Sequence, residues 1–284
     1  MMAISYNYLG SNGRLGNQMF QYAGLRGIAA HRGYDWLIPE PKSYGSSNYG
    51  LFDCFEMGSV GENNFGQLNS RTFTTGLFEF DQEFFENCPD NINLHDYFQT
   101  QKYFLHIEDI IRSDFTFKKE ILEPCKEIVN ELVNPIFIHV RRGDYVNHQY
   151  AHPVCSIEYY KEALKHFDES SPVLVFSDDI EWCKEQSFFS VDRFMISEYK
   201  ETYSQTSETK DGRIKSLIPY FDLCMMTLCS GGIIANSSMS WWGAWLIKNQ
   251  TQPIIAPKTW FNSDYIKSNN YNMKDLLPKS WIEV

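Results

Sequence analysis

Five short apolar runs separated by helical patterns constrain the second half of this chain more than any other feature. Pro135–Val140, Pro172–Ser177, Arg193–Ile196, Gly231–Ala235 and Pro253–Ala256 are β-rich and apolar throughout, the character of strands covered on both faces. Between them, Ser156–Phe167 carries Ile157, Tyr160, Leu164 and Phe167 at helical spacing behind Ser156, a residue suited to an N-cap. Ile180–Phe188, Leu217–Cys229 and Met239–Asn249 continue the alternation as helices. Strand and helix in turn predict an α/β architecture with a parallel, doubly wound sheet.

The first half is less regular. Ile4–Leu9 reads as a strand, Asn17–Arg32 as a helix and Asp35–Pro39 as a second strand, one βαβ start. Ser43–Ser70, rich in Gly, Asn and Ser, reads as loop or small irregular structure; Tyr97–Ile111 and Lys119–Val133 read as helices, the latter disturbed by Pro124. The polar, charged segment Tyr199–Arg213 reads as a long exposed loop. A new αβ series begins at Asn134-Pro135, so the expected border divides residues 1–134 from 135–284, with the last segment free to pack back on the first part.

The charge balance excludes some partners. A net charge of -11 and a pI near 5.1 argue against a nucleic-acid backbone, which needs a basic face, and against stable attachment to an anionic membrane. No apolar run reaches the length of a membrane span, and Met1–Gly10 has neither the basic nor the apolar region of a leader. The seven cysteines stand singly, with no Cys-x-x-Cys pair, as reduced, mostly buried thiols do. The expected location is cytoplasmic, with a peripheral position at the inner membrane face compatible with it.

Four motifs carry chemistry. Gly10-Ser-Asn-Gly13-Arg-Leu-Gly16-Asn17-Gln18 follows a strand and opens a helix. Its glycines let a ligand approach the backbone, and the same pattern also serves a plain strand–helix turn. His139-Val140-Arg141-Arg142-Gly143-Asp144-Tyr145 stands at the carboxyl end of a strand, where ligands of open α/β sheets bind. Adjacent guanidiniums suit phosphate oxygens, and Asp144 supports one of them; the alternative is a structural Arg–Asp pair. Asn236-Ser237-Ser238-Met239-Ser240-Trp241-Trp242-Gly243 opens the next helix, either as a cap or, opposite two arginines, as a phosphate cradle. Asp222 lies on a helix that is apolar on nearly every side. A buried carboxylate needs partners, and the paired N–H donors of guanine or a salt bridge would both serve.

Gly-Arg-Leu-Gly-Asn-Gln-Met-Phe-Gln-Tyr-Ala (13–23), His-Val-Arg-Arg-Gly-Asp-Tyr (139–145), Val-Phe-Ser-Asp-Asp (175–179) and Asn-Ser-Ser-Met-Ser-Trp-Trp (236–242) together resemble the ordered motifs of the bacterial-type alpha-1,2-fucosyltransferases, over most of the chain. The resemblance implies a GT-B-like enzyme. It would have two Rossmann-like domains, an acceptor-side domain (1–134) and a GDP-fucose-binding domain (135–284), with the donor in the cleft between them. The implied reaction moves L-fucose from GDP-fucose to the 2-hydroxyl of a terminal galactose in a surface glycan, with inversion, no cofactor and no metal ion. Arg141 and Arg142 would bind the donor diphosphate and act in catalysis, with Asp144 supporting. His139 and Asp222 would hold guanine, Ser237 and Ser238 would meet the phosphates, and Gly16 and Asn17 would approach the donor from the first domain.

Consistent with a metal-free reaction, the chain has no Asp-x-Asp triplet. His148 and His152, four apart, are assigned to a loop rather than to a metal; neither they nor Glu158 is singled out as a general base. A different GDP-fucose transferase and a non-catalytic carbohydrate-binding protein are the competing readings. The second leaves Arg141, Arg142 and the serine turn without a role.

Overall fold

A computed structural model describes residues 2–11, 13–41, 49–197, 206–208, 214–216 and 218–284. The chain divides into two compact units. The first comprises Met1–Lys118, Glu208–Arg213 and Tyr271–Pro278, and the second Lys119–Ser207, Ile214–Asn270 and Lys279–Val284. The break lies before Lys119 rather than after Asn134. The helix that was expected to end the first part packs instead within the second, where Cys125 Sγ lies 3.6 Å from the carbonyl of Phe221.

In the first unit β1 (Ala3–Ser5) leads to α1 (Leu15–Arg32), β2 (Asp35–Leu37), α2 (Leu51–Cys54), β3 (Thr72–Phe73), α3 (Gln82–Asn87), β4 (Ile92–Leu94) and α4 (Glu108–Asp114). The strand order β2-β1-β4-β3 is parallel throughout. β3 and β4 were not foreseen, because two- and three-residue strands offer no periodicity to read. The expected helix Tyr97–Ile111 is also corrected. Phe98 takes a positive φ of 51° and the Thr100 side chain accepts the N–H of Lys102. The segment therefore runs through single 3-10 turns and becomes α-helical only at Glu108.

The second unit comprises α5 (Lys119–Val129), β5 (Ile136–Val140), α6 (Ile157–Leu164), β6 (Val173–Ser177), α7 (Ile180–Glu185), β7 (Phe194–Ile196), β8 (Thr206–Glu208, its last residue counted with the first unit), β9 (Ile214–Ser216), α8 (Ile218–Leu228), β10 (Gly231–Ile233), α9 (Ser238–Trp245), β11 (Ile254–Ala256), α10 (Ser263–Asn269) and β12 (Ile282–Glu283). Six strands form a parallel sheet in the order β12-β11-β10-β5-β6-β7. All five apolar runs are strands in it, and every residue of β5 and β6 is buried. α5 runs through Pro124 and stops at Val129. Ser156 caps α6 by accepting the N–H of Tyr159. Part of Tyr199–Arg213, read as a loop, is strand: β8 pairs with β9 in a sheet of two; its remainder lies outside the described residues.

The sheet order decides where a ligand site belongs. From β5 the chain winds outward through β6 and β7, then returns to the other side of β5 as β10 and continues outward through β11 and β12. The order reverses between β5 and β10, and open α/β sheets bind ligands outside the carboxyl ends of the strands at that reversal.

Candidate active site

Both motifs singled out in the second half stand at this reversal. Ile138 of β5 pairs with Ile233 of β10, so the strands end side by side. His139-Val140-Arg141-Arg142 continues from one and Asn236-Ser237-Ser238 from the other. On the far side of β5, Val140 pairs with Ser177 of β6, which brings Asp178 and Asp179 level with the two arginines.

The arginines are held by carboxylates and aromatic faces. Arg141 Nη2 pairs with Asp144 Oδ1, its Nη1 lies 2.7 Å from Asp178 Oδ2, and its guanidinium sits 5.0 Å from the centroid of Tyr145. Arg142 Nε donates to Asp179 Oδ2 at 3.0 Å, and its guanidinium lies 3.9 Å from the centroid of Trp182. Two or three contacts do not exhaust five donors, so each fork keeps N–H groups for an oxyanion. Asp179 also accepts the N–H of Trp182 as the cap of α7. The sequence reading passed over Asp178 and Asp179 as individual residues, although adjacent acids after one strand and adjacent arginines after the next are a legible signal of pairing.

Asn236 is structural. Its amide donates to the carbonyls of Pro153 and Trp260, both at 2.9 Å, and its own carbonyl accepts the Tyr145 hydroxyl. This fixes the turn that presents Ser237 and Ser238. Ser237 occupies the N-cap position of α9 but makes no side-chain cap bond. The first bond of that helix runs from the Trp241 N–H to the Ser237 carbonyl, which leaves the preceding N–H groups without a helical acceptor. Trp241 and Trp242 are fully buried and belong to the core.

His139, in β5, and Asp222, on α8, are both buried titratable groups. Burial, with the charge of Arg141 second, pushes the His139 imidazole down to about 3, so the ring is neutral; its Nδ1 has no hydrogen-bond partner. Burial, reinforced by the negative charge of Asp178, holds the Asp222 carboxyl well above the usual carboxylate range.

Gly16 and Asn17 lie in the first turn of α1, in the first unit. Asn17 Oδ1 accepts the amide of Gln99 at 2.9 Å. Gly13 has φ +77°, and a Cβ there would stand 2.8 Å from Asn17 Cβ, so this turn requires glycine twice over. His148 Nδ1 donates to the Asp144 carbonyl at 2.8 Å, and His152 stacks on Tyr145 at 4.4 Å. Burial lowers the His152 imidazole against the opposing charge of Asp144. Glu158 lies exposed on α6. Among the described residues no three His, Cys, Asp or Glu side chains stand together as a cation site. None of the seven cysteines is in a disulfide, and six of them are buried.

The sequence profile of glycosyl transferase family 11 matches residues 77–283. An alpha-1,2-colitosyltransferase of Escherichia coli is 28% identical, over 96% of each chain. The galactoside alpha-(1,2)-fucosyltransferase 1 of Saimiri boliviensis boliviensis is 25% identical over 90% of this chain and 69% of its own. Among solved structures, the NodZ alpha-1,6-fucosyltransferase soaked with GDP-fucose superposes with a TM-score of 0.54 at 13% identity, over 87% of this chain and 92% of that one. The two parallel α/β units are thus a GT-B-like fold. No helix among the described residues is long and apolar enough to cross a membrane.

Proposed function

The chain belongs to glycosyl transferase family 11, a fucosyltransferase family, and from that premise we propose a specific reaction. L-Fucose moves from GDP-fucose to the 2-hydroxyl of a terminal galactose in a surface glycan or oligosaccharide, with inversion and without a metal ion. The observation that carries this reading is the placement of Arg141-Arg142 and Ser237-Ser238 on neighbouring strand ends at the reversal of the sheet.

The acceptor oxygen attacks the anomeric carbon, the bond from that carbon to the β-phosphate oxygen breaks, and GDP departs with its charge. Arg141 and Arg142 meet that charge as it grows, in place of a cation, and the free N–H groups of the α9 turn add donors beside Ser237 and Ser238. His139 and Asp222 hold guanine, Asp222 by accepting its two N–H groups. Asp144 supports Arg141. Gly16 and Asn17 keep their assignment to the donor on resemblance alone. The acceptor loses a proton to a base or to water in the same step.

The likeness to a colitosyltransferase along 96% of the chain favours a second reading, in which the transferred sugar lacks the 3-hydroxyl of fucose. Assays with GDP-fucose and GDP-colitose over a panel of galactose-terminated acceptors, in excess EDTA, with linkage determined by NMR, separate the two. An alpha-1,2-fucosylated product is expected. Transfer only from GDP-colitose selects the second reading, and activity that requires added magnesium or manganese overturns the metal-free mechanism.

A further inference from the structure

One carboxylate in the site ties together more of it than either arginine does. Asp178 follows β6 directly. Its Oδ1 accepts the backbone N–H groups of Arg142 at 2.9 Å and Gly143 at 3.2 Å, and its Oδ2 takes Arg141 Nη1 at 2.7 Å. The turn that carries both arginines, and the side chain of the first, are therefore set from a neighbouring strand. Asp179, next in sequence, has a different task, pairing with Arg142 and capping α7.

Gly143 shows how closely the carboxylate is seated. A Cβ at that position would stand 2.3 Å from Asp178 Oδ2. Gly143 is not among the residues of positive φ, so its backbone does not demand glycine. The space does, and the space is filled by Asp178.

We infer that Asp178 is a positioning residue for the donor diphosphate site, orienting the Arg141 fork and fixing the Arg142-Gly143 turn by a single carboxylate that spans two strand ends. The alternative, a surface ion pair, would use one oxygen and leave the turn to its own backbone. Exposed pairs of that kind contribute little, whereas a carboxylate that accepts two backbone N–H groups and a guanidinium holds geometry. The inference rests on the reading of Arg141 and Arg142 as the diphosphate-binding pair, and its test includes a measurement that does not depend on that reading.

Asp178→Asn keeps an acceptor oxygen for the turn but turns a donor toward Arg141, and Gly143→Ala presses on the same carboxylate without changing any charge. In the ligand-free protein, amide exchange at Arg142 and Gly143 should quicken by about tenfold or more in Gly143→Ala, with exchange elsewhere in β5 unchanged. In calorimetry both variants should bind GDP roughly ten- to a hundredfold more weakly, Asp178→Asn the more so, while the KM for the galactose acceptor stays within about twofold. Wild-type exchange at these amides in Gly143→Ala, or wild-type GDP affinity in a folded Asp178→Asn, overturns the inference. Absence of GDP binding by the wild-type protein overturns instead the donor-site reading beneath it. Should Asp178→Asn fail to fold, Gly143→Ala carries both measurements.

Discussion

Each unit of the molecule contains an arginine–carboxylate cluster braced by aromatic rings, and the two differ in how they are closed. In the first unit Arg26 Nη1 lies 2.7 Å from Asp114 Oδ2, and its guanidinium sits 4.4 Å from the centroid of Trp36. The second oxygen of Asp114 accepts the Ser59 N–H at 2.9 Å, and the Tyr22 hydroxyl donates to the first at 2.8 Å. The two side chains are 10% and 1% exposed. In the second unit Arg141 and Arg142 are 15% and 19% exposed, and their partners Asp144, Asp178 and Asp179 lie between 28% and 45%. The first cluster satisfies every oxygen internally. The second, at a sheet reversal, is partly exposed and takes only some of the guanidinium donors. The same chemistry is a buried strut in one place and, on the function proposed, the donor diphosphate site in the other.

The largest effect expected from this contrast falls on the strut. Asp114→Asn breaks a buried pair and leaves Arg26 without its counter-charge, a change that costs about 3–5 kcal/mol. Denaturant titration should show it directly, and any folded fraction should bind GDP as the wild type does. A loss below about 1 kcal/mol would mean that solvent or another partner compensates and that the first cluster is less closed than its burial implies.

The second effect falls on activity. Arg141→Lys keeps the charge and loses the planar fork that is shared between Asp144, Asp178 and the ligand. Turnover should fall by the equivalent of about 2.7–4 kcal/mol, the usual cost of removing one donor to a developing anion. The melting temperature should move by only a few degrees, since the pair is partly exposed. Near-wild-type turnover with an intact circular-dichroism spectrum would place Arg141 with Arg26 as a structural residue and leave Arg142 as the remaining candidate.

What could be read from the sequence follows the same contrast. The second unit was legible because β5, β6, β10 and β11 are covered apolar runs, each with a helix after it, and because its candidate site consists of residues adjacent in sequence at strand ends. The first unit was legible only as a βαβ start. β4 is held by register with β1 and β3 by register with β4 rather than by any pattern of their own, and Phe98 breaks a helix that its neighbours' spacing predicts. Arg26 and Asp114 lie far apart in sequence, and no motif announces their pairing. Asp178 and Asp179 stood in a quoted motif, yet their partners become visible only when β6 is laid beside β5. Long-range pairing, not local propensity, is what the sequence withholds.

The smallest predicted effect bears on Asp222, which shares burial with Asp114. Its carboxyl is raised well above the usual range by burial and by Asp178. If guanine supplies two N–H donors, the bound state favours the carboxylate, so GDP binding releases a proton. Affinity should then rise with pH up to the raised value and level off above it. Asp222→Asn should flatten this dependence and weaken GDP binding by about 1–3 kcal/mol, the cost of unmatched polar groups.

Stability runs the other way. A folded-state value above the unfolded one contributes stability at low pH that is lost as pH rises through the folded value. Removing the carboxyl should therefore make the variant more stable than the wild type at neutral pH, with the gain vanishing in acid. His139, pushed down to about 3 from 6.5, gives both proteins the opposite background, a stability that declines as pH falls through that window. Calorimetric GDP titrations and thermal melts from pH 5 to 8 read both quantities on the same samples. A pH-independent GDP affinity in the wild type, together with an Asp222→Asn protein less stable than its parent, would move Asp222 out of the binding site and into the company of Asp114.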